Sequence, residues 1–140
     1  MSQRLWEDVQ PGDALESIGL PLNVYRCVMI AGSNRDFNPI HHNTEYARMT
    51  GAPEMYVNTL FLQNAWERCV RDYIGLAGSI RKISGFRMKS FNTVGDTLMV
   101  KGEVIRKWRE GETGLVELKV WCENSKGVSV GPGAVTITLP

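Results

Sequence analysis

From residue 80 onward the chain consists of strand-like stretches separated by turns, and this feature narrows the possible folds most. The stretches cover residues 80–91, 97–109, 115–123 and 128–139. Between them lie Asn92-Thr93-Val94-Gly95-Asp96, Glu110-Gly111-Glu112-Thr113-Gly114 and Asn124-Ser125-Lys126-Gly127, which carry turn residues. In the third stretch Val116, Leu118, Val120 and Cys122 alternate with Glu117, Lys119, Trp121 and Glu123. Successive strand side chains point to opposite faces, so at least one face of the sheet is predicted to be buried. Val135-Thr136-Ile137-Thr138-Leu139 carries the same signature.

Ahead of these strands the periodicity is helical. Residues 58–73 place Leu60, Ala65 and Cys69 on a mostly apolar stripe, with Phe61 and Trp66 nearby. Asn58 or Thr59 can cap the start, and Gly75 and Gly78 end it. A shorter helix is predicted over 24–31, capped by Asn23 and stopped by Gly32-Ser33-Asn34, and another over 44–49, capped by Asn43 or Thr44. Residues 14–18 alternate like a half-buried strand, whereas 36–43 read as irregular backbone because Pro39 lacks an N–H and restricts Asn38. Helices grouped early and strands grouped late predict an α+β fold, a mainly antiparallel sheet packed on one long helix.

At 140 residues and 43% hydrophobic, the chain suits one domain spanning 1–140 with a core of its own. Its net charge of +1 carries no basic excess to attract nucleic acid and no polybasic run to hold an anionic membrane. Cys27, Cys69 and Cys122 are far apart and odd in number, without the paired spacing of a disulfide framework or the Cys-x-x-Cys or Cys/His cluster of a zinc site. No apolar run approaches the ~18–20 residues of a membrane span, and the start is too polar for a secretory signal. A cytoplasmic protein is expected.

Candidate chemistry is concentrated in Asp36-Phe37-Asn38-Pro39-Ile40-His41. A carboxylate and an imidazole on a proline-stiffened loop could hold one water between them and polarise it from both sides. The same residues in isolation most often make an Asx-turn beside an ordinary histidine. His41-His42 near Asp36 and Glu45 could suggest a metal, but adjacent histidines usually point apart, and no metal site is expected.

The longer run Ser33-Asn34-Arg35-Asp36-Phe37-Asn38-Pro39-Ile40-His41-His42-Asn43, followed by Tyr46-Ala47-Arg48 and Gly51, resembles the hydratase-2 motif of the MaoC-like, (R)-specific enoyl-CoA hydratases. With Tyr56-Val57-Asn58-Thr59 ahead of the long helix and a Leu-Pro terminus, the chain is most similar to actinobacterial members tied to sterol side-chain breakdown. The resemblance implies a hot-dog fold, an antiparallel sheet wrapped around a central helix. It implies reversible syn hydration of a trans-2-enoyl-CoA, with Asp36 and His41 as the catalytic pair and the Thr59 backbone N–H at the helix start as oxyanion donor. Asn38 and Asn58 would support the loop. No cofactor is implied, since coenzyme A belongs to the acyl-CoA thioester substrate. The expected assembly is a homodimer or a heteromer with a similar hot-dog chain.

Two positions depart from the family pattern. Its glycine before the catalytic acid is Arg35 here, and its His-Gly pair before the helix is Asn58-Thr59. Arg35 has two readings, a substrate-phosphate contact or a pairing with a nearby acid. Arg68, Arg71, Arg81, Lys82, Arg87 and Lys89 could meet coenzyme A phosphates or form a solvated face. Trp66, Trp108 and Trp121 read as packing residues, while Met49, Met55 and Met88 suit either an acyl pocket or the core.

Overall fold

The computed structural model describes residues 2–140. Strand β1 (Ile18–Pro21) is followed by helix α1 (Val24–Ser33), a 3-10 turn (Pro39–His41), helix α2 (Thr44–Met49) and helix α3 (Thr59–Ile74). Strands β2 (Ser79–Ser84), β3 (Thr97–Glu110), β4 (Thr113–Asn124) and β5 (Gly127–Leu139) complete the order. All five strands join one antiparallel sheet in the order β1-β3-β4-β5-β2.

The long helix starts where a side chain can satisfy its first free N–H groups. Asn58 is its N-cap, with the side-chain oxygen accepting from Phe61 N–H, and Gly75 at φ 74° closes its far end. Leu62, Ala65, Trp66, Cys69, Val70 and Tyr73 recur at three- and four-residue intervals and are buried. They share one core cluster with Val100, Val104, Val116, Leu118, Val120, Val135 and Ile137 of the sheet. The alternation read in β4 is present, with Val116, Leu118, Val120 and Cys122 buried and the residues between them half-buried. A sheet curled over one central helix is the hot-dog arrangement that the resemblance implied.

Several local expectations need correction. The first strand is Ile18–Pro21, not 14–18; Ala14 makes only an isolated bridge to Glu103. Strand β2 stops at Ser84, short of residue 91, because Gly85 turns to φ 68°. A Cβ added at Gly133 would lie 2.4 Å from the Ser84 carbonyl oxygen, so β2 and β5 approach too closely there for any side chain. Trp108 and Trp121 lie half-buried rather than in the core, under Arg106 and Lys119 at 4.8 and 5.2 Å from the ring centres. Met49 is exposed, and only Met55 of the three methionines is buried.

The turn before β3 is tied to the β4–β5 turn through Asp96. Its carboxylate accepts from Ser125 Oγ at 2.6 Å and Thr97 N at 2.7 Å. Burial works against the charge, but the Ser125 hydroxyl and the Thr97 and Ser125 N–H groups outweigh it and hold the carboxyl below the usual aspartate range. That stability is therefore present above the unfolded-chain value and is lost as pH falls through the lower folded value. Asp96→Ala should cost about 1 kcal/mol at neutral pH, the half-exposed site keeping the effect modest. Urea melts at neutral and acid pH should show the difference from wild type shrinking in acid.

Among the described residues, no helix is long and apolar enough to cross a membrane.

Candidate active site

Helix α1 aims the acid. After its C-cap Asn34, Arg35 N–H bonds Gly32 O at 3.2 Å and Asp36 N–H bonds Ala31 O at 2.9 Å. This paired closure is the Schellman motif, which needs a left-handed residue just past the cap. Arg35 occupies that place at φ 54° and is the only non-glycine at positive φ among the described residues. The geometry explains why the family carries glycine there. Arg35 itself is exposed and makes no ion pair among the described residues, so the pairing with an acid is not formed.

The imidazole is aimed by the next turn. Asn38 is extended, as its place before Pro39 requires, and its side-chain oxygen accepts from Ile40 N–H at 3.2 Å. The 3-10 turn then carries His41 inward, to 5% exposure. His41 Nδ1 lies 2.7 Å from the Tyr56 carbonyl oxygen, and the two rings meet edge to face at 5.4 Å. A carbonyl only accepts, so Nδ1 carries a hydrogen and donates it.

His41 Nε2 then reaches Asp36 Oδ2 at 3.1 Å. The sequence reading placed a water between these groups; at 3.1 Å they are instead in direct contact, with no room for a water between these two atoms. Asn58 Nδ2 donates to the same carboxylate oxygen at 3.2 Å. The side chain of Asp36 is 35% exposed and that of His41 only 6%, so the acid is the partner open to solvent.

Thr59 follows Asn58 as the first residue of α3 and is exposed. Among the described residues its N–H finds no acceptor, as expected in the first helical turn. Its hydroxyl turns to Met88 Sδ at 3.6 Å. Beside it opens a cleft of about 270 Å3 walled by Tyr56, Leu62, Met88 and Phe91, with Lys89 and Asn92 among its polar residues. Arg87 does not line this cleft, although it is exposed. A separate groove of about 400 Å3 runs between α1 and α3, past Met29, Ile30, Phe61 and Ala65.

Other reactive side chains are disarmed. Burial pushes the Cys27 and Cys69 thiols up to about 11 and Cys122 to about 12, with Glu54 and Asp72 adding to the first two. None is a thiolate near neutral pH. His42 turns away from His41, towards the Phe37 carbonyl at 3.4 Å. Sequence reasoning missed Asn34 and the Tyr56 carbonyl. Asn34 lay inside the motif as an apparent helix stop, and a backbone acceptor leaves no trace in a side-chain pattern.

Fold and site together define a hot-dog protein with an acid–imidazole dyad at the start of its central helix. Over 100 residues, 71% of this chain and 74% of the relative, the sequence is 31% identical to the 3-oxo-4,17-pregnadiene-20-carboxyl-CoA hydratase beta subunit of Mycobacterium tuberculosis. The chain also matches a chain of the ChsH1–ChsH2 complex from that organism, with TM-score 0.84 and 27% identity over 94% of this chain and 99% of that one. An (R)-hydratase from A. caviae involved in PHA biosynthesis shares the fold, with TM-score 0.84 and 20% identity over 96% and 99% of the two chains. No protein-family model matches the sequence. The chain belongs to the MaoC-like hydratase family.

Proposed function

We propose that this chain is a catalytic enoyl-CoA hydratase that adds water reversibly to a trans-2-enoyl-CoA to give the 3-hydroxyacyl-CoA. The observation that carries this reading is the direct Asp36–His41 contact at 3.1 Å, with the imidazole buried and its far nitrogen held by Tyr56. Asp36 takes a proton from a water as the water oxygen bonds Cβ. The dyad returns one proton to Cα, so it ends the cycle as it began. Negative charge passing to the thioester oxygen is met by Thr59 N–H at the positive end of α3. No cofactor enters this scheme, because coenzyme A arrives with the substrate.

A steroid side-chain thioester is the substrate we favour, because the M. tuberculosis relative is the beta subunit of a 3-oxo-4,17-pregnadiene-20-carboxyl-CoA hydratase. We also propose assembly with a second hot-dog chain, either a copy or a similar partner. Tyr25 and Met29 of α1 and Phe37 within the motif stay 73%, 54% and 71% exposed, apolar surface that a second chain would cover. Lys89, at the cleft, and the exposed Arg35 and Arg87 are candidate contacts for coenzyme A phosphates.

The test incubates the protein, alone and with candidate partner chains, with crotonyl-CoA and a bulky enoyl-CoA. Loss of the conjugated-thioester absorbance without free thiol supports hydration. Free thiol without hydration makes the protein a thioesterase instead.

The oxyanion role of Thr59 has its own signature, since it acts through the backbone. Thr59→Ser should leave kcat within about threefold, whereas Thr59→Pro, which deletes the N–H, should lower it about a hundredfold or more. Proline is tolerated at the first helical position, so the loss should occur without unfolding, as circular dichroism would verify. Equal turnover by the two variants would remove Thr59 from the mechanism.

A further inference from the structure

We infer that Asn58 is the positioning residue of the dyad, and that its amide leaves Asp36 Oδ1 as the oxygen that meets the water; this rests on the hydration reading above. An aspartate carboxyl turns easily about its last bond, so its orientation has to come from its partners. The orientation of the Asn58 amide is set from outside the site. Its Oδ1 accepts from Phe61 N–H at 3.0 Å, and a backbone N–H can only donate. Asn34 Nδ2 approaches the same oxygen at 3.4 Å. The other end of the amide is therefore NH2, and it points at Asp36 Oδ2 at 3.2 Å.

Asp36 Oδ2 thus has two neighbours, Asn58 Nδ2 at 3.2 Å and His41 Nε2 at 3.1 Å. Among the described residues Oδ1 has no side-chain partner, and it belongs to the more exposed member of the dyad. The oxygen free to accept a proton from water is then Oδ1, while Oδ2 anchors the carboxyl to the imidazole. A quarter turn of the carboxyl would carry both oxygens away from a buried amide, 3% exposed, and strip it of its acceptor. A line of contacts therefore joins the end of α1, through Asn34 and Asn58, to Asp36, His41 and the Tyr56 carbonyl.

Capping and positioning are separable by substitution. Asn58→Ser keeps a favoured N-cap oxygen but has no group that reaches Asp36 as the amide does, and Asn58→Asp keeps the cap while setting a second carboxylate against the first. We expect both to melt within a few degrees of wild type. The kcat for crotonyl-CoA should fall about tenfold in Asn58→Ser and about a hundredfold in Asn58→Asp, with KM within about twofold. A readout independent of turnover is the ring 15N spectrum of His41, taken in a His42→Gln background that leaves one histidine. Its Nε2 resonance should move in Asn58→Ser, because the carboxyl is then free to turn. Wild-type kcat in Asn58→Ser, or an unmoved Nε2 resonance, would overturn the assignment. If wild type hydrates no enoyl-CoA while the resonance still moves, the hydration reading fails and the positioning role stands. If both variants unfold, Asn34→Ala, which leaves the α3 cap intact, must move the same resonance or the assignment falls.

Discussion

Asp36→Asn and His41→Ala should each lower kcat for an enoyl-CoA by at least about a hundredfold, equivalent to about 2.7 kcal/mol of transition-state stabilisation. Asparagine has nearly the shape of aspartate but cannot take a proton from water. His41→Ala removes the imidazole that lies against Asp36 Oδ2 at 3.1 Å. It also strands the Tyr56 carbonyl, 2.7 Å from the lost nitrogen, and leaves a hole at a buried position. That variant should therefore lose about 1–3 kcal/mol of stability as well, while Asp36→Asn should stay near wild type. Because acid and imidazole act as one unit, the double variant should be little slower than the worse single one. Hydration of crotonyl-CoA, with thermal melts beside it, measures all three. Turnover within tenfold of wild type for either single variant would end the proposed mechanism.

The largest expected loss of stability lies at Trp66, which is fully buried on α3. Its indole N–H donates to Cys122 Sγ at 3.2 Å, and its ring meets Phe86 edge to face at 5.0 Å. A Cβ placed on Gly131 would come within 2.8 Å of the indole, so the sheet has no side chain to fill the vacated space. Trp66→Ala should cost about 3–5 kcal/mol, and Trp66→Phe, which keeps most of the volume, distinctly less. Urea unfolding gives both values. A loss below about 1 kcal/mol for the alanine variant would mean that the helix is not seated in the sheet through this ring.

What could be read from the sequence divides along physical lines. Alternation in β4, the capped helix α3 and the short helices α1 and α2 are local patterns, and they survive into the structure. The apolar stripe of α3, however, runs through Leu62 and leaves Leu60, assigned to it from the sequence, exposed. Residues 80–91 misled because strand-like composition says nothing of a bend at Gly85. In the site, Asp36 and His41 stood out by motif, and Asn38 by its place before proline. Asn58 could be read as a helix cap, yet its donor reaches Asp36 across 22 residues of sequence, a separation that no window reveals. The meaning of Arg35 was equally hidden. Only the closure of α1 shows that a left-handed residue is required there.

The strand order β1-β3-β4-β5-β2 also bears on how the molecule is made. Synthesis runs from the N-terminus, so the ribosome releases β1, α1 and the dyad loop well before β3, on which β1 must pair. The dyad loop is thus born without its scaffold, and Leu20 of β1 and Cys27 and Ala31 of α1, buried in the finished fold, wait in water meanwhile. Such late, distant pairing slows folding and invites chaperone capture of the nascent chain.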